Sequence, residues 1–174
     1  MTEAVAERPR ALPPLGRPAL ARWAALAVPA ALLAAAFGSQ YLGGLYPCEM
    51  CWWQRYAHLA ALVPAALAFT APAPSPRARL MVLLAAAGIA LSGTIGVYHA
   101  GVELKIFEGF TTCTTVAAGA TTDELFRQLA AAPVVRCDQV QWSFLGISMA
   151  GWNAILSLGA AAAIGFLTLR SSRS

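Results

Sequence analysis

Four long apolar runs alternate with more polar segments along the chain. The runs cover residues 23–46, 51–70, 80–98 and 144–169. At about 1.5 Å rise per residue, a helix of each length reaches across a hydrocarbon core of roughly 30 Å. Because backbone polar groups must be satisfied internally in lipid, runs this long and apolar indicate helices. The pattern therefore predicts an all-α membrane protein built as a four-helix transmembrane bundle.

The segments between the runs define the rest of the organisation. Residues 1–22 are rich in Pro, Arg and Ala and predict a disordered tail ahead of a membrane domain over residues 23–170. Residues 71–79 contain three prolines and predict a tight turn. A long loop, residues 100–143, precedes the fourth run, and residues 171–174 form a second tail.

Composition excludes an ordinary soluble domain. The chain is 59% hydrophobic and 11% charged, whereas about a quarter of the residues of a soluble domain are charged. The net charge of +4 comes from basic residues that lie mostly outside the apolar runs and are not clustered with aromatics. This arrangement indicates that the basic residues orient the chain in the membrane and do not bind nucleic acid, so we expect no nucleic-acid partner.

Arginines mark one side of the membrane. They lie in both tails and in the proline-rich turn: Arg8, Arg10, Arg17, Arg22, Arg77, Arg79, Arg170 and Arg173. With four spans these three segments share a side, which the positive-inside rule assigns to the cytoplasm. The connection around Cys48 and the 100–143 loop then face outward.

The first run has a second interpretation. Its arginine-bearing start, its apolar core and the small residues Ala34–Ala36 resemble a cleavable signal peptide. The run continues apolar past that point, however, and cleavage would leave the two ends of the chain on opposite sides of the membrane. We therefore favour a retained span.

All four cysteines fall on the outer side, where an even number of thiols in an oxidising compartment indicates disulfide chemistry. Cys48 and Cys51 form a CxxC motif where the outer connection enters the second helix. Unpaired N–H groups and the helix dipole stabilise a thiolate at such a position, which favours thiol exchange. A structural disulfide or half of a metal site is the alternative to this redox function.

The other two cysteines, Cys113 and Cys137, bracket much of the outer loop. Alone, such a pair is more often a structural bridge, but the neighbouring CxxC favours a second redox pair. Between them, Thr122 or Asp123 is a candidate cap for a short interfacial helix. The apolar side of that helix would carry Leu125, Phe126 and Leu129.

A zinc site is the metal alternative. Four cysteines are able to form a tetrahedral cage. The second pair lacks CxxC spacing, however, and thiols outside the cytoplasm tend to be oxidised. We therefore predict no metal.

Arg55 lies four residues after Cys51 and shares its helix face one turn deeper. An ionisable residue inside a span indicates function by default, although a snorkelling side chain is the alternative. The functional interpretation is a cation beside Cys51 that also donates a hydrogen bond to a bound acceptor. Trp52 and Trp53 either belong to an aromatic belt or wall a flat apolar ligand.

Two histidines complete the set of candidates. His99 ends the third run, where a satisfied interfacial histidine is the simpler interpretation. His58 lies three residues beyond Arg55 and is compatible with the same site.

These residues together resemble the DsbB family, bacterial inner-membrane enzymes that reoxidise the periplasmic dithiol oxidase DsbA with quinone. The matching segments are Pro47-Cys48-x-x-Cys51, Gln54-Arg55, Tyr98-His99, Cys113 with Cys137-Asp138, and Trp142-Ser143-Phe144-Leu145-Gly146. In the related vitamin K epoxide reductases the loop cysteines precede the CxxC, whereas here they follow it. The order favours the DsbB family.

The resemblance implies a route for electrons. Reduced DsbA would attack a Cys113–Cys137 disulfide and remain on Cys113. Cys137 would then attack Cys48, and Cys51 would leave as a thiolate beside the quinone and pass electrons to it. The resemblance also implies a bacterial inner-membrane location with periplasmic cysteines and cytoplasmic termini.

The cofactor would be ubiquinone or menaquinone, with Arg55 and His99 as its contacts. The family commonly has an acidic residue directly before the arginine, where this chain has Gln54. That difference removes an ionic role at this position but not the role of the arginine. The non-enzyme alternative is a membrane scaffold whose disulfides are only structural.

Overall fold

The computed structural model describes residues 16–73, 75–109 and 135–170. Its elements in chain order are helices α1 (Arg17–Tyr41) and α2 (Glu49–Leu67), a 3-10 turn (Ala68–Thr70), helix α3 (Pro76–Glu103), strands β1 (Ser143–Phe144) and β2 (Ile147–Ser148), and helix α4 (Met149–Arg170). Residues 1–15, 74, 110–134 and 171–174 lie outside the described part. The predicted interfacial helix near Thr122 or Asp123 and the position of Cys113 therefore stay predictions.

The helices begin where the sequence supplies the right terminal residues. Pro76 occupies the first turn of α3, where its missing N–H costs nothing, and the Ser75 side chain accepts a hydrogen bond from the Ala78 amide. Cys48 caps α2 in the same way, since its sulfur accepts from the Cys51 amide. A cysteine of the CxxC motif thus fixes the start of the helix that carries the site.

Three of the described helices, α1, α3 and α4, are long and apolar enough to cross a membrane. The prediction of an all-α membrane protein is confirmed by these helices, with the two-residue strands as a minor addition. Helix α2 does not meet the same criterion, because Gln54, Arg55 and His58 lower its hydropathy. The assignment of α2 as a fourth span stays a prediction.

Several predicted boundaries are wrong by a few residues. Helix α1 begins at Arg17, inside the segment predicted as tail, and ends at Tyr41 rather than 46. Helix α3 extends beyond 80–98 at both ends. Hydropathy alone does not locate these ends, because local capping and turns decide where an apolar segment stops being helical.

The fourth run is not helical at its start, which corrects the predicted span 144–169. Residues 143–148 form an antiparallel hairpin in which Phe144 pairs with Ile147. Its turn residues Leu145 and Gly146 have φ of 52° and 77°. Two successive positive φ values suit a tight hairpin turn and interrupt a helix, so α4 begins only at Met149.

Small residues let the helices approach closely. A Cβ atom added at Gly88 of α3 would lie 2.9 Å from the Ala61 Cβ of α2. One added at Gly96 would lie 3.0 Å from the Ala150 carbonyl oxygen of α4. Helices in a membrane pack through such close contacts, because moving an apolar side chain from lipid into the protein interior contributes little free energy. They place α3 between α2 and α4, with the start of α2, the end of α3 and the start of α4 at one end of the bundle.

Candidate functional site

The CxxC motif brings its two sulfurs into contact. Cys48 precedes α2 and is buried, whereas Cys51 in the first turn is partly exposed. Their Sγ atoms are 3.0 Å apart. A small side-chain movement would close this contact to the roughly 2.05 Å of a disulfide. The local fold of the helix start therefore holds the pair ready for thiol–disulfide chemistry.

A third cysteine joins them from the segment between α3 and β1. Cys137 is fully buried in a cluster with Cys48, Met50 and Val102. Its side chain hydrogen-bonds to Cys48, and this contact, together with the contact to Cys51 and burial, raises the pKa of the Cys48 thiol. The structure thus brings together Cys137 and the CxxC motif, which are far apart in the sequence.

Ion pairs hold the segment that carries Cys137 against the end of α3. The Asp138 carboxylate accepts hydrogen bonds from Arg136 at 2.9 and 2.8 Å and from the Lys105 Nζ at 2.6 Å. Lys105 also donates to the Asp138 carbonyl oxygen at 2.7 Å. The neighbouring Arg136 and Lys105 cations hold the pKa of Asp138 well below its ordinary value. We call these three residues the Asp138 clamp.

Arg55 is buried between helices and hydrogen-bonds to α1. Its side chain is 5% exposed, and its guanidinium donates to the Gln40 side chain and, at 3.0 Å, to the Ala36 carbonyl oxygen of α1. The same group lies over the rings of Phe37 and Trp52 at 4.9 and 5.0 Å. The snorkelling alternative is therefore wrong.

A cavity of about 660 Å³ opens beside Cys51. Its polar lining comes from seven residues: Ser39, Cys51, Gln54, Arg55, His58, His99 and Asn153. Most of the remaining walls are apolar, including Trp142, Phe144 and Trp152. This size and mixture suit a flat organic ligand of moderate size.

The cavity walls differ from those considered in the sequence. Trp52 and Trp53 are not among the described residues that line it. Trp52 packs against Phe37 and Tyr56, and Trp53 is 40% exposed. The interpretation of this pair as ligand walls is therefore wrong. Trp152 of α4 was missed, although it is an aromatic residue near a span end on the same side as the cysteines.

Both candidate histidines are buried at the site. His99 is 3% exposed, and its Nε2 lies 3.6 Å from the Cys48 Sγ. Its Nδ1 lies 2.9 Å from the Gln54 Nε2. His58 is also 3% exposed, and its Nε2 lies 3.0 Å from the Asn153 Oδ1. Both histidines thus belong to one polar region beside the cysteines.

Sequence reasoning missed the residues that connect the histidines. Asn153 Nδ2 donates to the Gln54 Oε1 at 2.8 Å and thereby links α4 to α2. Ser92 and Ser157 complete the contacts of Asn153. A signal was present, since Asn153 and Ser157 lie one helical turn apart within an otherwise apolar run.

Three residues of this site also carry atoms of the kind that bind metal ions. One ligand atom each from Cys48, Cys51 and His99 lies within 4.8 Å of the others. Two thiolates and an imidazole suit a soft ion such as Zn²⁺. The contact of Cys137 with Cys48 and the adjoining apolar cavity favour sulfur exchange as the use of these thiols.

Comparisons with known proteins agree with this geometry. The family model described as "Disulfide bond formation protein DsbB" matches residues 18–167. A disulfide bond formation protein B of Methylococcus capsulatus is 37% identical over 140 residues, which cover 75% of this chain and 81% of the relative. Those of Marinobacter nauticus and a Shewanella species are 30% and 33% identical, covering 72% and 74% of this chain and 77% and 74% of the relatives. No solved structure matches the chain. A match over nearly all of the helical bundle shows that the chain belongs to the DsbB family of disulfide bond formation proteins.

Proposed function

We propose that this protein is a quinone-dependent thiol oxidase that reoxidises a periplasmic DsbA-like dithiol oxidase. One observation carries the proposal: the two sulfurs of the CxxC motif have different neighbours. Cys48 contacts Cys137 of the outer loop, while Cys51 lines the 660 Å³ cavity. A pair placed between a second thiol site and an organic-ligand cavity is suited to pass electrons from one to the other.

The sulfur steps balance as four exchanges. A thiolate of the reduced partner attacks Cys113 of the Cys113–Cys137 disulfide, and Cys137 leaves with the electron pair. Cys137 then attacks Cys48, so that a Cys137–Cys48 bond forms while the Cys48–Cys51 bond breaks and Cys51 leaves as a thiolate. The second thiol of the partner displaces Cys113, which releases the oxidised partner. Cys113 then attacks Cys137, which restores the Cys113–Cys137 disulfide and leaves Cys48 and Cys51 as the reduced pair. The contact between Cys137 and Cys48 supports this order, since exchange requires the attacking sulfur to reach its target.

The cavity fits a quinone headgroup. When bound there, a quinone would supply the two-electron, two-proton acceptor for oxidation of the Cys48 and Cys51 thiols. Aromatic walls from Trp142 and Trp152 suit a flat ring. Arg55 uses two of its N–H groups on α1, and a guanidinium has five, so donors remain for a carbonyl oxygen. Ubiquinone and menaquinone share the ring carbonyls and the apolar tail that these residues would contact.

The charges of the bundle support the proposed orientation. Arg22 and Arg79 line a cavity together with Thr168, near the end of α4, and Arg170 closes that helix. This end lies opposite the cysteines. By the positive-inside rule a basic end belongs in the cytoplasm, which supports the proposal that the cysteines face the periplasm of the inner membrane.

Thiol trapping tests the function against the structural-scaffold alternative. Cells with and without quinone are quenched in acid, and the protein thiols are labelled by a maleimide of known mass. We expect the cysteines to accumulate as thiols when quinone is absent and a reduced partner is present. Disulfides that stay oxidised in both conditions would support the scaffold. Quinone reduction by the purified protein and reduced partner, with a Cys51→Ser variant as control, measures the activity directly.

A further inference from the structure

Buried hydrogen bonds connect the CxxC motif to the centre of the bundle. We call the residues that form them, Gln54, Ser92, Asn153, His58 and His99, the amide network. Asn153 Nδ2 lies 3.2 Å from the Ser92 carbonyl oxygen. Since a carbonyl oxygen only accepts hydrogen bonds, the amide nitrogen of Asn153 must face this oxygen. The orientation of the Asn153 side chain is therefore determined by the α3 backbone.

A second carbonyl determines the orientation of Gln54. Its Nε2 lies 3.2 Å from the Met50 carbonyl oxygen, and its Oε1 accepts from Asn153 at 2.8 Å. The nitrogen that donates to Met50 also lies 2.9 Å from the His99 Nδ1. An amide N–H₂ group is only a donor, so the His99 Nδ1 must be an acceptor without a hydrogen. The proton of the neutral ring is then on Nε2.

The surroundings of the His99 Nε2 agree with that assignment. The Cys48 Sγ lies at 3.6 Å and the Glu103 Oε1 at 3.8 Å. The backbone of Cys137 also accepts a hydrogen bond from His99. Each of these neighbours is able to accept, so an N–H at this position has partners.

We infer that Gln54, held by Asn153, is a positioning residue that fixes His99 as the Nε2–H tautomer and thereby directs this histidine to the exchange between Cys137 and Cys48. The part of this inference that concerns exchange rests on the proposed function. His99 donates a hydrogen bond and transfers no proton: the Cys137–Cys48 bond forms, the Cys48–Cys51 bond breaks, and the electron pair moves to Cys51. An N–H beside the Cys48 sulfur stabilises anionic sulfur where little water is available.

The tautomer is measurable without quinone or partner. We would record ¹⁵N spectra of the full chain in lipid nanodiscs, stripped of quinone and labelled at histidine. The chain has two histidines, so a His58→Gln variant assigns the signals. We expect a bare Nδ1 and a protonated Nε2 for His99 in the wild type. A protonated Nδ1 and bare Nε2 would overturn the inference.

Two substitutions separate the action of Gln54 from a general disturbance of the network. In Gln54→Glu the carboxylate cannot donate, so we expect the His99 Nδ1 to become protonated. Ser157→Ala removes a donor to the Asn153 Oδ1, on the side away from Gln54, and should leave the His99 signals unchanged. An unchanged Nδ1 signal in Gln54→Glu would show that Gln54 does not set the tautomer.

Kinetic measurements distinguish a role of His99 in the sulfur exchange from a role in quinone binding. In Gln54→Met we expect kcat with reduced partner to fall by about tenfold, the scale of one hydrogen bond to a charged group, while the KM for quinone stays unchanged. Thr94→Val, on an exposed position of α3, is the control for folding and should match the wild type. A raised quinone KM with unchanged kcat would assign His99 to the ligand instead. If no variant turns over quinone at all, the proposed function fails, but the spectra still test the tautomer.

Discussion

The guanidinium of Arg55 on α2 donates a hydrogen bond to the side chain of Gln40 on α1. This contact joins the first helix to the helix that carries the CxxC motif and fixes the arginine at the cavity. The charge is therefore held in place before any ligand binds. Preorganised charge of this kind stabilises developing negative charge without further rearrangement.

Replacing Arg55 by Leu should weaken quinone use far more than folding. Loss of a hydrogen bond to a charged group costs about 1.5–3 kcal/mol, or roughly one to two decades in apparent quinone affinity. Arg55→Lys should be intermediate because it keeps the charge but loses the planar fork. The measurement is quinone reduction at varied quinone concentration with matched protein levels. Arg170→Lys, at the opposite end of the bundle, is the control, and an unchanged affinity in Arg55→Leu would contradict the proposed contact.

Substitution of the loop cysteines should separate the two exchanges. Cys113→Ser should block attack by the reduced partner, whereas Cys137→Ser should trap the partner as a mixed disulfide on Cys113. The reason is that Cys137, which contacts Cys48, is the sulfur that would resolve this adduct. Non-reducing gels detect the trapped adduct, and mass spectrometry of its peptides identifies the cysteine that carries the partner. An adduct on Cys48 would reverse the proposed electron path.

The topology should place both ends of the chain in the cytoplasm. Single cysteines introduced at positions 5, 75, 120 and 172 of a cysteine-free chain would be labelled with an impermeant maleimide. We expect labelling from the periplasm at position 120 only, since the other three positions flank the arginine-bearing segments. Labelling of position 75 from the periplasm would refute four spans and leave α2 outside the membrane.

The Asp138 clamp should resist acid. The folded-state pKa of Asp138 is depressed. Its contribution to the free energy of unfolding is therefore complete above the unfolded-state pKa of about 3.9 and disappears as pH falls through the lower folded-state pKa. Hydrogen exchange in residues 135–141, corrected for intrinsic rates, should show constant protection down to about pH 4. Asp138→Asn should lower that protection at every pH above about 4, only modestly because the ion pairs are exposed. Loss of this protection near pH 6 would show that it depends on a titrating group other than Asp138.

Local patterns along the chain were sufficient to predict a membrane protein of the disulfide bond formation class. Hydropathy is local, so three of the four predicted spans could be recognised from the chain, with errors only at their ends. The CxxC at the start of α2 also follows from local rules, since Cys48 caps the helix that its own segment begins. The motifs around Arg55 and His99 identified the family before any contact was known.

Which side chains meet depends on how the helices pack, and local patterns do not predict it. Helices that are apolar on most sides carry little information about which face turns inward, because lipid and protein interior are equally favourable to them. Packing of small residues such as Gly96 against α4 selects the face, and with it the contact of Asn153 with Gln54, 99 positions apart in the chain. The approach of Cys137 to Cys48 depends in the same way on contacts distant in sequence, which no local pattern encodes.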